Sequence, residues 1–293
     1  MEKSFFYKII RRGWLLFKGM VTNISYIPYY IYKPKLKYNS DNNIIVSFTT
    51  YPARIKCLPL VVGSIIRQKI KPQKIILYLS KKQFEDLKNP IIKGIVRQGV
   101  IVKLVDDDLK SHKKYYYAMQ EYPNNIIITI DDDIIYDKNM IADLYKSYLK
   151  HKTCISARRV HKMKFDENKM ILPYNEWDYN TKKHIDEESY ELMATGCGGV
   201  LYPPKSLHQD WKNVKTIKSS CLRADDLWLK IMELKNNVPV VLVKSKSYKL
   251  RHIWGTDRNG LGISNITYDG NDIQLRNICD AEKIDLYDLV KRS

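Results

Sequence analysis

The sequence predicts an α/β protein built on a mostly parallel sheet flanked by helices, and three observations carry that expectation. Short apolar runs rich in β-branched residues recur from Asn43 onward, helix-like segments separate them, and polar or acidic clusters follow several of them. Strands are expected at 44–49 (IIVSFT), 74–79 (KIILYL), 100–105 (VIVKLV) and 126–130 (IIITI), with helices at 58–68, 82–97, 111–121 and 138–150. Pro90 must kink or split the second helix, because it removes a donor and clashes with the preceding turn. Beyond residue 150 the rhythm loosens. A strand is expected near 153–158, a hairpin around 170–185, a glycine-rich segment at 196–199, a helix from about 226 to 235 and a strand at 238–243. This later half holds no second nucleotide-type unit of its own, so it is read as completing one cleft within a single domain.

A chain of 293 residues with 44% apolar content can bury a sizeable core, and its interspersed charge excludes a disordered protein. The five cysteines are odd in number and widely spaced, with no CxxC pair. That pattern argues against a structural zinc site or a thiol–disulfide motif and places the chain in a reducing cytoplasm. The net charge of +18 raises the question of phosphate-bearing partners. Basic residues are scattered, no nucleic-acid-binding motif is present, and acidic clusters at 106–108 and 131–133 interrupt the chain. No nucleic-acid partner is expected; an anionic membrane or a diphosphate substrate explains the charge.

Residues 1–22 sharpen that choice. Wound as a helix, Lys8, Arg11, Arg12 and Lys18 gather on one arc, while Phe5, Ile9, Trp14 and Phe17 occupy the other. The charges break any apolar run short of the ~20 residues needed to span a bilayer, and no uninterrupted signal-peptide core or cleavage site is present. The expectation is an N-terminal amphipathic helix lying on the inner face of the cell membrane, the alternative being a helix packed on its own domain. Residues 26–37 (YIPYYIYKPKLK) read as a linker, broken by Pro28 and Pro34. The organisation expected is therefore helix and linker over 1–42, a catalytic domain over 43–255, and a tail over 256–293 packing on or near the active site.

Parallel strands joined by helices present ligand-binding groups at their carboxyl ends. Three polar clusters fall there: Thr49 to Arg54, Asp106 to Asp108, and Asp131 to Asp133. The last is the most telling, since three adjacent carboxylates beside a buried strand repel one another unless a divalent cation or solvent absorbs the charge. In an extended segment, Asp131 and Asp133 would point to one side and Asp132 to the other. Asp225 and Asp226 open an apolar helix, where one could cap it and the other enter the cleft. Neither GxxxxGK[ST] nor GxGxxG occurs, which removes the P-loop and dinucleotide readings.

Four segments, in order, carry a family resemblance: IIVSFTTYPARI at 44–55, SHKKYYYAMQEYPNNIIITIDDDIIY at 111–136, GCGGVLYPP at 196–204 and ADDLWL at 224–229. Over roughly residues 43–255 the chain resembles bacterial nucleotide-sugar glycosyltransferases of the GT-A fold, a Rossmann-like α/β domain, most nearly the family 2-like enzymes of surface polysaccharide synthesis. The resemblance implies a DxD motif in which Asp133 binds Mn²⁺ or Mg²⁺ and Asp131 meets the ribose or the metal shell, with Asp132 between them. It implies donor contacts from Thr49, Tyr51 and Arg54, where Tyr51 could stack on the base and Arg54 reach the diphosphate. Asp106, at the third strand end, is a candidate for the base edge or ribose, and solvent exposure is the competing reading. Lys113 and Lys114 occupy the helix from which similar enzymes present a basic residue to the donor. Gly196, Gly198 and Gly199 would let backbone approach the sugar or acceptor. Asp226 matches the general base of inverting relatives, with Asp225 as runner-up; the latter stands where similar enzymes more usually carry glutamate. His252 is a candidate third metal ligand, although lone histidines are commonly structural.

The function expected is a metal-dependent glycosyltransferase moving a sugar from a nucleotide-sugar donor, most simply a UDP-sugar, to a glycan or lipid-linked glycan acceptor, with inversion, in surface polysaccharide or lipopolysaccharide synthesis. A metal-dependent phosphotransferase or nuclease would also use clustered aspartates. A non-catalytic basic adaptor at membranes or nucleic acid is the other alternative.

Overall fold

The computed structural model describes residues 35–39, 42–253, 255–256 and 270–291. The amphipathic segment 1–22 and most of the linker lie outside these residues. Among the described residues no helix is long and apolar enough to cross a membrane.

The first half forms as its patterning dictates. Strands β1 (Ile44–Thr49), β2 (Lys74–Ser80), β3 (Ile101–Val105) and β4 (Ile126–Thr129) alternate with helices α1 (Leu58–Ile66), α2 (Pro90–Arg97) and α3 (Lys113–Glu121). β1 pairs in parallel with β2 on one side, Ile45 opposite Lys74, and with β4 on the other, Ile44 opposite Ile126. β3 extends the sheet in parallel beyond β2. The near-continuous Ile and Val runs follow from burial on both faces. Val46, Phe48, Leu77 and Ile128 pack toward α1 and α4 (Met140–Lys150), whereas Ile45, Tyr78 and Ile127 pack toward Ala118 of α3.

The helix expected over 82–97 is shorter than its pattern. It starts at Pro90, whose missing N–H costs nothing at a first helical position, and the Asn89 side chain accepts from the Ile91 amide at 2.9 Å. Residues 82–89 are turn and loop instead.

The second half completes the same sheet with shorter strands. They are β5 (Ile155–Ala157), β7 (Glu188–Ser189), β9 (Val200–Tyr202) and β10 (Val240–Leu242), giving an eight-stranded order β3-β2-β1-β4-β9-β5-β10-β7. β9 runs antiparallel between β4 and β5, and β7 is an antiparallel edge. The hairpin expected at 170–185 is replaced by a 3-10 turn at Tyr174–Glu176 and isolated bridges, because Tyr174 and Trp177 turn inward to the core. The ribbon that does form joins β6 (Val160–Lys162) to β8 (Leu192–Ala194). Helices α5 (Val214–Ser220) and α6 (Asp225–Lys235) close this side, and α7 (Gly270–Glu282) and α8 (Leu286–Val290) pack on them.

The result is the mostly parallel, helix-flanked, Rossmann-like α/β sheet that the sequence pattern predicts. Its topology also places the site. The chain leaves β1 toward β2 and β3, then returns to β1's other side as β4, so a crevice opens outside the carboxyl ends of β1 and β4.

Candidate active site

Two polar clusters meet at that crevice. The first joins the loop after β1 to the loop after β4. Arg54 donates from Nη1 to Asp132 Oδ1 at 2.9 Å, and its Nη2 lies 3.1 Å from Asp133 Oδ2. The same Nη2 reaches the Thr256 carbonyl at 3.2 Å, and the Thr50 hydroxyl donates to Asp132 Oδ2. Pro52 opens a 3-10 turn over Pro52–Cys57, which swings Arg54 back over the strand ends. Its guanidinium carbon sits 5.5 Å from the centre of the Tyr51 ring, a cation–π distance. Burial works against the Arg54 charge, but Asp132 and Asp133 outweigh it and hold the guanidinium protonated. Asp132 feels the opposite balance: burial raises its pKa, and Arg54 and Thr50 only partly restore the charged form.

The aspartate triplet does not stay extended. Asp132 and Asp133 are in a turn, so the alternation expected of a strand is lost. Asp132 and Asp133 share Arg54, and Asp131 goes elsewhere, which corrects the expectation that Asp131 and Asp133 face one way with Asp132 opposed. The Asp131 amide donates to the Tyr136 hydroxyl at 2.9 Å, which fixes the start of this turn.

The second cluster centres on Lys114. Its ammonium donates to Asp131 Oδ1 at 2.8 Å and lies 2.9 Å from Asp225 Oδ2. The Gly196 amide donates to both oxygens of Asp226, each at 3.2 Å. A Cβ built at Gly196 would lie 2.6 Å from Lys114 Nζ and 3.3 Å from both Asp131 Oδ1 and Asp226 Oδ1. Lys114, Asp131 and Asp226 therefore surround one glycine, and the absence of a side chain there is what lets them converge. Neither carboxylate caps α6: the N-cap is Ala224, and both aspartates enter the cluster, not one as the helix geometry led us to expect.

Environment separates these two adjacent carboxylates. Burial alone would raise both. For Asp225 the Lys114 ammonium overcomes burial and its pKa falls below the usual range. Asp226 has burial and the neighbouring Asp225 charge acting together against ionisation, with Lys114 only partly offsetting them, and its pKa is pushed up to about 8. Asp226 nevertheless retains partial access to solvent, whereas Asp225 is buried. Lys114 is held charged, since Asp131, Asp225 and Asp226 outweigh its burial. Divergent pKa values in a pair of acids at a cleft are the mark of an acid–base site.

The remaining candidates are placed differently. Lys113 points away from Lys114 and forms a buried pair with Asp108 at 2.6 Å. Asp106 is 88% exposed and pairs with Lys81, while Asp107 pairs with Lys218. Thr49 donates to the Tyr78 carbonyl at 2.8 Å, so its hydroxyl serves the sheet. Gly198 and Gly199 have packing reasons: a Cβ on Gly198 would lie 2.8 Å from Arg159 Cβ, and Gly199 has φ +84° with Met140 Sδ 3.0 Å from its Cβ position. His252 is exposed and bridges to Ile134, and the Ile253 amide donates to the Asp133 carbonyl at 2.8 Å.

Sequence reading did not single out Tyr136 or His112 as site residues. His112 is buried behind α3, accepting the Tyr115 hydroxyl at Nδ1 (2.8 Å) and donating from Nε2 to the Cys221 carbonyl (2.9 Å). It thereby ties the start of the Lys114 helix to the loop preceding Asp225. Only their nearness to the quoted motifs could have drawn attention to either residue.

Asp131 and Asp133 offer oxygen donors, which suit Mg²⁺ or Mn²⁺. The ligand atoms of Asp131, Asp133 and His252 do not all lie within 4.8 Å of one another. Two carboxylates fit an ion whose remaining ligands are water and substrate phosphate, the usual habit of Mg²⁺, better than an all-protein cage. Among the described residues the one set of ligand atoms drawn that close is His151, Cys154 and Glu188, none of them a residue of the two clusters described above.

No family model and no curated protein matches the sequence. Among solved structures the chain is similar to TarS residues 1–349 of S. aureus in complex with UDP, at 13% identity and a TM-score of 0.43, over 69% of this chain and 58% of that one. The complex of the same fragment with UDP-GlcNAc gives 14% identity and a TM-score of 0.41, over 73% and 60% of the respective chains. CMP:2-keto-3-deoxy-manno-octonic acid synthetase complexed with CTP gives 9% identity and 0.41, over 68% and 87%. The chain thus spans less than two thirds of the TarS chains to which it is similar.

Proposed function

We propose that this protein is a metal-dependent, inverting glycosyltransferase that moves a sugar from a nucleotide-sugar donor, most simply a UDP-sugar, to a hydroxyl of a glycan or lipid-linked glycan at the cytoplasmic face of a membrane. One observation carries the reading: Asp226, with its pKa pushed up to about 8, stands beside Gly196, Lys114 and Asp131 in the crevice at the switch point of the sheet. The order of the four resembling segments agrees with it.

In this reading Asp226 is the general base. In its ionised form it takes the proton of the acceptor hydroxyl as that oxygen bonds to the anomeric carbon, while the bond from that carbon to the diphosphate breaks. Gly196 contributes by leaving room above the carboxylate and by orienting it through its amide. Lys114, held charged, keeps Asp225 ionised and pairs with Asp131. Arg54 supplies a second fixed positive charge, which a diphosphate can share with Asp132 and Asp133. Asp131 and Asp133, with His252 as the third candidate, would hold Mn²⁺ or Mg²⁺, which supplies charge stabilisation to the departing diphosphate.

A panel of nucleotide sugars tests this by slow donor hydrolysis with Mn²⁺ and with chelator. Metal-dependent release of one nucleoside diphosphate is the expected outcome. Phosphodiester cleavage without sugar release would instead mark a phosphotransferase or nuclease.

A further inference from the structure

A groove of about 750 Å³ lies beside α1, lined by residues from Lys71 before β2, from Tyr136 to Asn139 after the aspartate turn, and from the segment that follows β10. Its position follows from topology: Lys71 sits between α1 and the start of β2, at the amino ends of the strands. The Leu36 amide donates to the Gln98 carbonyl at 2.8 Å, and the Asn42 side chain donates to the Lys71 carbonyl at 2.7 Å. These bonds pin Lys35 and Lys37 to the same end, where they form one wall with Lys71. The other wall brings Lys138, Lys246 and Lys249. Eight Lys or Arg residues line the groove in all, against one carboxylate, Asp137, which is already paired with Arg158.

Five of the lysines, Lys35, Lys37, Lys138, Lys246 and Lys249, carry charge that no carboxylate ion pair offsets among the described residues. Lys71 turns its ammonium onto the Ile66 carbonyl at 2.7 Å, and burial together with the neighbouring Lys37 lowers its pKa. A fold that concentrates like charge in a concave surface bears a repulsive cost unless an anion enters.

We infer that this groove seats the phosphate headgroups of an anionic membrane lipid. Two features favour lipid over a soluble phosphate compound. Six of the eight bases are lysines, mobile point charges suited to a diffuse layer of headgroups, whereas a specific small-phosphate site relies on arginine forks and converging backbone amides. The groove also includes Lys35 and Lys37, which lie thirteen or more residues along the chain from the amphipathic pattern at 1–22, the segment expected to meet the membrane. The inference rests on the membrane-surface part of the proposed function and gives it a site within the folded domain.

The test uses the full chain and phosphatidylcholine vesicles with and without phosphatidylglycerol. The wild-type protein is expected to float only with the anionic vesicles. The combined Lys138→Ala, Lys246→Ala, Lys249→Ala variant, altered at exposed positions, is expected to lose about 100-fold in partition, at roughly a factor of five per lysine, with donor hydrolysis in solution unchanged. Lys35→Ala with Lys37→Ala removes the opposite wall and is expected to act in the same direction. Equal flotation of wild type and both variants overturns the groove while leaving membrane binding in place. No flotation of the wild type overturns both. Calorimetric binding of pyrophosphate that both variants abolish, with flotation unchanged by either, reassigns the groove to a soluble anion and overturns the lipid.

Discussion

The aspartate crevice and the lysine groove handle charge in opposite ways. At the crevice beside the carboxyl ends of β1 and β4, five aspartates are interleaved with Arg54 and Lys114, whose ion pairs hold four of them while the Gly196 amide holds the fifth. In the groove Lys35, Lys37, Lys138, Lys246 and Lys249 stand together with no carboxylate ion pair among the described residues. The first arrangement fixes side chains in place and sets their protonation, which is what chemistry needs. The second leaves a field, which is what recognition of an anionic surface needs.

The sharpest way to break this contrast is at Asp226. Replacing it with asparagine keeps the shape and removes the base, so turnover should fall by roughly 10² to 10⁴ while donor binding persists. Equal loss of binding and turnover in single-turnover kinetics would make Asp226 a structural residue. Next in size is Asp132→Ala, which strips one partner from half-buried Arg54. Breaking such a pair costs about 3 to 5 kcal/mol, and the remaining contact with Asp133 should keep the loss near the lower end. Chemical denaturation reads it directly. Gly196→Ala forces Lys114 Nζ away from a carbon it would meet at 2.6 Å, and overpacking of this kind costs about 1 to 3 kcal/mol.

A pH series sharpens the comparison further. Because the folded-state pKa of Asp226 is raised, its contribution favours folding fully below the ordinary carboxylate pKa and is lost as pH rises through about 8. Wild-type stability should therefore decline more steeply than that of Asp226→Asn between those limits. Parallel curves would remove the assigned shift. The smallest effect is expected at Asp106→Ala. Its exposed pair with Lys81 should be worth about 0 to 1 kcal/mol, and activity should survive unless a bound donor recruits this carboxylate.

Particular elements show why some of the molecule was legible in the sequence. The strands at 44–49, 74–79 and 126–130 were found nearly to their ends because an Ile and Val run bounded by turn residues has few other stable forms. The helix over 82–97 was overextended because its periodicity continued through Asn89 and Pro90, whose meaning as cap and first residue depends on local geometry. Lys113 and Lys114 are alike as letters. About 100° of helical rotation sends one to Asp108 and the other to Asp131 and Asp225.

By itself, the sequence determined the layered α/β class, the strand ends that carry polar groups, and the presence of acidic residues beside them, since hydrophobic periodicity and like-charge repulsion act over a few neighbours. Tertiary structure alone decided which aspartates share a base, that Asp225 meets Lys114 while Asp226 meets Gly196, and that lysines from positions 35 to 249 line one groove. Those facts depend on chain segments up to two hundred residues apart meeting in space, and no local pattern encodes the distance between them.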